Sequence, residues 1–197
     1  ARLGIEIGYG LVPLVEDRKG APLMKRITGI RRQISKELGF VIPLVRIKDD
    51  LSLEPNSYRI MMGGMVLGED TVWPNDFIAL DDGHVDSVIE GRPCKDPTFG
   101  MDAIWIGAEK KSQAIAEGYT VVDAPTVIAT HLNDVVRRNA ARLFGMDEAQ
   151  KFLDFLKESS PQLVDSLTPQ PLSLYTITAI CRDLLAEKVP VKDFQQI

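Results

Sequence analysis

At Asp123 the chain passes from one pattern of apolar residues to another, and that change limits the folds open to it. Before this point most apolar residues come in short runs broken by turn residues, the signature of strands, with helical spacing in places between them. Tyr119-Thr120-Val121-Val122 is the last such run. Asp123 is then a good helix N-cap, with Pro125 tolerated in the first turn. Beyond it Ile128, Leu132, Val135, Val136 and Leu143 share one face of a helix at about 100° per residue, while Thr126, Thr130, Asn133 and Arg137 share the opposite face. The expected architecture is therefore mixed α/β in its first part and helical in its last.

Reading from the start, Gly4 to Gly10 and Leu11 to Val15 are expected as short strands, followed by a turn at 18–22. Leu23, Ile27, Ile30, Ile34 and Leu38 recur every three or four residues and predict an amphipathic helix ended by Gly39. Leu44 to Lys48 and Tyr58 to Met62 read as strands, and Gly63-Gly64 signals a hairpin into Met65 to Leu67. Composition shifts after Trp73-Pro74. Phe77 to Leu80 and Ala103 to Ile106 are expected as strands, with irregular chain from 81 to 100 and a short helix from Glu109 to Glu117. In the last part Gly145 stops a helix, Asp147 restarts one with Gln150 set for a capping box, and Phe152, Leu153 and Leu156 supply its core stripe. Pro161, Pro169 and Pro171 punctuate a tail in which Leu174, Ile177, Cys181, Leu184 and Leu185 repeat at helical spacing. The last residues read as the start of another helix, so the sequence is expected to be a piece of a longer protein.

Apolar residues make up 45% and charged residues 26% of 197 residues, enough to bury a substantial core. A net charge of −5 argues against general nucleic-acid binding, which needs a basic surface. The one basic concentration, on Lys25, Arg26, Arg31, Arg32 and Lys36, fits the wet face of the first helix. Cys94 and Cys181 lack C-x-x-C or zinc-ligand spacing and read as free thiols. No apolar run reaches the roughly 18 residues that a membrane-spanning helix needs.

Chemistry-bearing patterns are few. Asp81-Asp82-Gly83-His84-Val85-Asp86 lacks the alternating oxygen ligands of a calcium loop and reads as a solvated turn. The glycines near the start form neither a dinucleotide nor a phosphate loop. No metal site, cofactor site or catalytic set is expected. Lys95-Asp96-Pro97-Thr98-Phe99-Gly100 is different, a proline-anchored loop able to display an aromatic ring inside a polar rim. That is the composition of a docking hot spot rather than of a reactive centre. Asp96 also fits a turn cap, and Phe99 a plug at a junction.

Taken together, Leu3-Gly4-Ile5-Glu6-Ile7-Gly8-Tyr9, the helix over 26–40, Val45-Arg46-Ile47-Lys48-Asp49-Asp50, Asp96-Pro97-Thr98-Phe99-Gly100, Thr120-Val121-Val122-Asp123 through Ala129-Thr130-His131-Leu132, and Leu184-Leu185-Ala186-Glu187-Lys188-Val189-Pro190-Val191-Lys192-Asp193 resemble the cytoplasmic region of the FHIPEP family, the export gates of type III secretion. The resemblance runs from residue 3 to the end. It implies a thioredoxin-like first subdomain over 1–74 completed by 124–143, a small α/β insertion over 75–123 and a helical third subdomain over 144–197. A fourth subdomain and an amino-terminal membrane domain would lie outside this sequence. The parent would sit in the bacterial inner membrane with this region on the cytoplasmic side.

The resemblance also implies a role without catalysis, as a platform for flagellar protein export. Its partners would be export chaperones carrying substrates, the soluble export ATPase apparatus and other export-gate subunits. Family members assemble as rings, nonameric in the full protein, and this piece is expected to be monomeric. Matched motif to motif, the family's chaperone-binding dimple falls on Asp96, Phe99 and Thr130, with Pro97 holding the loop. Two rival readings remain. One is an export gate of the virulence type, against which the Thr-Val-Val-Asp, Ala-Thr-His-Leu and Leu-Phe-Gly segments weigh. The other is a small α/β enzyme using His131 and Asp134, which lie on one helix face without a nucleophile.

Overall fold

The computed structural model describes residues 2–162 and 173–192. Pro169, Pro171 and the start of a final helix therefore lie outside the described residues. The chain divides into two compact units, residues 3–28 with 45–135, and residues 1–2, 29–44 and 136–197. The division falls within two helices, α1 (Pro22–Leu38) and α3 (Ala124–Arg138).

The first unit holds two four-stranded sheets. One is built from β1 (Leu3–Ile7), β2 (Val45–Asp49), β3 (Ser57–Met62) and β4 (Met65–Thr71), in the order β2-β1-β3-β4. β1 and β2 run parallel, the pairing that a crossover through a helix allows, while β3 is antiparallel to β1 and to β4. This order, with the third strand reversed, is that of a thioredoxin-like sheet. Alternation along β1 and β3 sends Leu3, Ile5, Ile7, Tyr58, Ile60 and Met62 inward, all of them buried. Leu23 and Ile27 of α1 are buried as the periodicity requires. At the β3–β4 turn Gly63 and Gly64 have φ of 56° and 86°, the double left-handed geometry of a tight hairpin that only glycine adopts freely.

The second sheet comprises β5 (Phe77–Leu80), β6 (Arg92–Lys95), β7 (Asp102–Ile106) and β8 (Thr120–Asp123), ordered β6-β7-β5-β8 and antiparallel throughout. A short helix, α2 (Lys111–Ala116), follows a single 3₁₀ turn at Ala108–Lys110. Ala79, Ile89, Ile106, Ala114 and Tyr119 form the core of this part. The Tyr119 hydroxyl donates to the Ser87 carbonyl at 3.3 Å and accepts from the Ile89 amide at 3.3 Å, tying down the otherwise irregular segment between β5 and β6.

The second unit is helical, with α4 (Ala140–Leu143), α5 (Met146–Ser159) and α6 (Leu174–Ala186). Phe152, Leu153 and Leu156 of α5 and Ile177, Cys181 and Leu185 of α6 are buried, and both α4 and α5 pack on α6. Phe40 meets Phe144 edge to face, ring centres 5.0 Å apart. The chain leaving α1 is pinned by Arg31, whose guanidinium donates to the carbonyls of Pro43 and Ile42 at 2.9 and 2.8 Å.

Several local expectations change. Leu11 to Val15 is no strand, because Tyr9–Leu14 forms a 3₁₀ helix in which Leu11 and Leu14 are buried, and a two-sided apolar run does not distinguish the two. β6 arises inside the stretch expected to be irregular. Pro93 hides it in the sequence yet is tolerated on an edge strand. The helix expected to run to Leu143 breaks at Asn139. The partner in the cap of α5 is Glu148, which accepts from the Gly145 amide at 3.3 Å, rather than Gln150.

Candidate functional site

The β6–β7 hairpin carries the proline-anchored loop at its tip. Cross-strand pairing brings Lys95 opposite Asp102, and their side chains form an ion pair at the base of the turn. Inside the turn the Asp96 amide donates to the Met101 carbonyl at 2.9 Å, and the Gly100 amide donates to the Asp96 carbonyl at 2.9 Å. The Asp96 carboxylate accepts from the Phe99 amide at 2.5 Å. Gly100 closes the turn at φ 69°.

The result is a division of labour within one short loop. Asp96 is only 7% exposed, whereas Phe99 is 65% exposed. An apolar ring that folding leaves in water, on a backbone pinned by three hydrogen bonds, is pre-organised for a partner. Pro97 and Thr98 are half-buried between them. Asp96 was expected both to cap the turn and to face a partner. Its burial and its bond to Phe99 make it the support of the ring.

Thr130 lies on α3, half-buried. Asp123 starts that helix as expected. Its carboxylate accepts from the Thr126 amide at 3.1 Å and pairs with Arg26 at 3.0 Å, and these bonds outweigh its burial and hold it below the usual carboxylate range. Ile128, Leu132, Val135 and Val136 are buried as the stripe predicted, but so are Val127, Ala129 and His131. Thr126, Thr130, Asn133 and Arg137 are half-buried rather than open, so α3 is covered on more sides than its periodicity indicates.

His131, the residue after Thr130, is 7% exposed and its Nδ1 lies 2.7 Å from the Tyr58 hydroxyl. The rings stand edge to face, centres 5.7 Å apart. The imidazole is seated against β4 at Gly68, where a Cβ would lie 2.6 Å from Nε2. Burial lowers the His131 pKa from the ordinary 6.5, opposed by the carboxylates of Asp70, Asp134 and Asp96. Burial, then the charges of Asp70 and Asp96, raises Tyr58 so that its phenol keeps its proton. Asp96 is one of the carboxylates whose charge acts on His131, the residue after Thr130. Tyr58, Asp70 and Gly68 were not expected in these surroundings. The available signal was Gly68, since a glycine inside a strand pattern marks a close approach.

This pairing also bears on the enzyme reading. The His131 ring is closed off from solvent and bonded to Tyr58, which is itself fully buried. Among the described residues no three or more His, Cys, Asp or Glu side chains are grouped to hold a metal ion. No helix among them is long and apolar enough to cross a membrane. In the helical unit a separate cavity of about 430 Å³ is bordered by Phe155, Val41, Lys36, Lys151 and Lys192.

The fold is shared with domains of type III secretion proteins. The structure of the Chlamydia pneumoniae CdsV and CdsO protein complex superposes with a TM-score of 0.81 at 19% identity, covering 99% of this chain and 57% of that one. The nonameric EscV cytosolic domain from the type III secretion system gives 0.67 at 16% identity, over 99% and 56%. The sequence profile of the FHIPEP family matches residues 1–197, and the chain belongs to that family. Flagellar biosynthesis protein FlhA of Escherichia coli K12 is 41% identical over 195 residues, 99% of this chain. The chain spans 28% of that relative's length.

Proposed function

We propose that this chain is the part of a flagellar export gate on which export chaperones deliver their substrates, with Phe99 as the anchor. The single observation that carries the reading is an aromatic ring left in water on a loop held by three hydrogen bonds. An amphipathic helix of the chaperone lays an apolar side chain beside Phe99, the helix-in-groove mode of recognition. Pro97 stiffens the loop, Asp96 holds it, and Thr130 offers a small surface for close approach. The three-part division at residues 74, 123 and 143 accompanies this reading, with the insertion presenting the loop.

The parent protein would lie in the inner membrane and present this region to the cytoplasm. There it would also meet the soluble ATPase apparatus and other gate subunits, and join a homo-oligomeric ring. Identity favours the flagellar branch over a virulence-type gate, at 41% to a flagellar relative against 16% and 19% to the secretion-system structures.

Titration calorimetry of chaperone–substrate complexes against the chain tests the assignment. Phe99→Ala should remove measurable binding while Tm barely moves, because the ring contributes little to the fold. Equal affinity in the variant would show that the docking surface lies elsewhere.

A further inference from the structure

We propose that Arg92 is a positioning residue for the docking loop, holding the hairpin that carries Phe99 against the segment that joins the two sheets of the first unit. The inference rests on the docking reading above for its functional consequence. The contact itself is independent of that reading.

The second sheet hangs from the rest of its unit by two short connections, 72–76 after β4 and the Asp123–Ala124 junction between β8 and α3. β5 and β8 adjoin these connections directly. β6 is the far edge, separated from β5 by β7, and it runs straight into the turn that displays Phe99. The first connection is built as a fixed platform. The Val72 amide donates to the Asn56 carbonyl at 2.9 Å, continuing the tie between β4 and the start of β3. The Asp76 amide donates to the Trp73 carbonyl at 3.0 Å, closing a four-residue turn with Pro74 at its second position, where the fixed φ of proline fits. Trp73 is half-buried on this turn, and the Arg92 guanidinium lies over its ring, 3.7 Å from the centroid. That is well inside the ~6 Å reach of a cation–π contact, and the planar, weakly hydrated guanidinium is the cation best suited to stacking. Arg92 is itself exposed on an edge strand, so no core packing calls for it there. From Arg92 to Asp96 the chain advances about 13 Å at strand spacing, so a tilt at Arg92 is carried to the tip of the hairpin. The stack thus ties the far edge of the second sheet to the end of the first, and with it the place of Phe99 relative to Thr130 on α3.

Residual dipolar couplings of backbone amides in the isotope-labelled chain test the contact, because they read orientation rather than stability. In Arg92→Met the amides of the β6–β7 hairpin should depart from their orientation in the parent chain, while those of β1 and β3 keep theirs. Methionine keeps an apolar stem and removes the charge. Arg92→Lys keeps a cation and should stay close to the parent, whereas Trp73→Leu should reproduce Arg92→Met. Losing the stack lowers the share of chains in the binding-competent arrangement, so calorimetry with chaperone–substrate complexes should give an affinity about two- to fivefold weaker in Arg92→Met. Adding Trp73→Leu to Arg92→Met should weaken it no further. Unchanged couplings in Arg92→Met, a lysine variant displaced as far as the methionine one, or effects of the two substitutions that simply add would each overturn the proposal. If Trp73→Leu does not fold, the two Arg92 variants decide alone. A displaced hairpin with unchanged affinity overturns the positioning role where Phe99→Ala still abolishes binding. Where Phe99→Ala also binds like the parent, the docking reading fails and the stack stands.

Discussion

Asp96 and Phe99 sit three positions apart and do opposite things. One is a carboxylate removed from water to hold a turn, the other an aromatic ring kept in water by that turn. Their substitutions should therefore separate. Asp96→Ala leaves the Phe99 amide without its acceptor at a partly buried site, a loss of about 1–3 kcal/mol. Urea unfolding should record it, and on the docking reading proposed above chaperone binding should weaken as well. A stability unchanged from the parent would mean that the turn is held by its backbone bonds alone. The sequence pointed to both residues. It did not say which faces outward, because Asp-Pro-x-Phe is compatible with a capped turn, a plug or an anchor until neighbouring strands fix the direction of each side chain.

At the scale of elements, α3 shows how a cap and an ion pair differ in worth. Asp123 closes β8 and opens the helix, with one oxygen on the Thr126 amide and the other on Arg26. The capping bond satisfies a backbone donor that the helix cannot, so Asp123→Ala should cost roughly 0.5–2 kcal/mol. The Arg26 pair is largely exposed, and exposed pairs contribute about 0.2–1 kcal/mol and less in salt. Arg26→Met should thus fall well short of Asp123→Ala in thermal unfolding, and its loss should shrink towards zero as salt is added while the capping loss of Asp123→Ala remains. Equal losses in the two variants would assign the stabilisation to the ion pair instead. Element type was legible wherever apolar spacing ran long, as in α1 and α5. It failed at Tyr9–Leu14 and at β6, where the pattern is short and proline intervenes.

For the whole molecule, the chain holds two units, one carrying the candidate docking surface and the other helical. The described helices supply a groove edged by Lys36, Lys151 and Lys192. The chain alone, 28% of a relative's length, should run as a monomer in light scattering at tens of micromolar. A stable large ring would contradict this and would locate the assembly contacts within these residues.

Local interactions wrote much of this structure into the sequence directly. The cap at Asp123, the glycine that ends α1, the Gly63-Gly64 turn and the apolar stripes each depend on residues within a few positions of one another. Order of strands, covering of α3 and the meeting of Tyr58 with His131, 73 residues apart, do not. Those were decided when elements distant in the sequence closed on one another, because burial and the position of a polar partner are properties of the space between elements. An isolated histidine and a glycine in a strand became a seat and its occupant only through that closure.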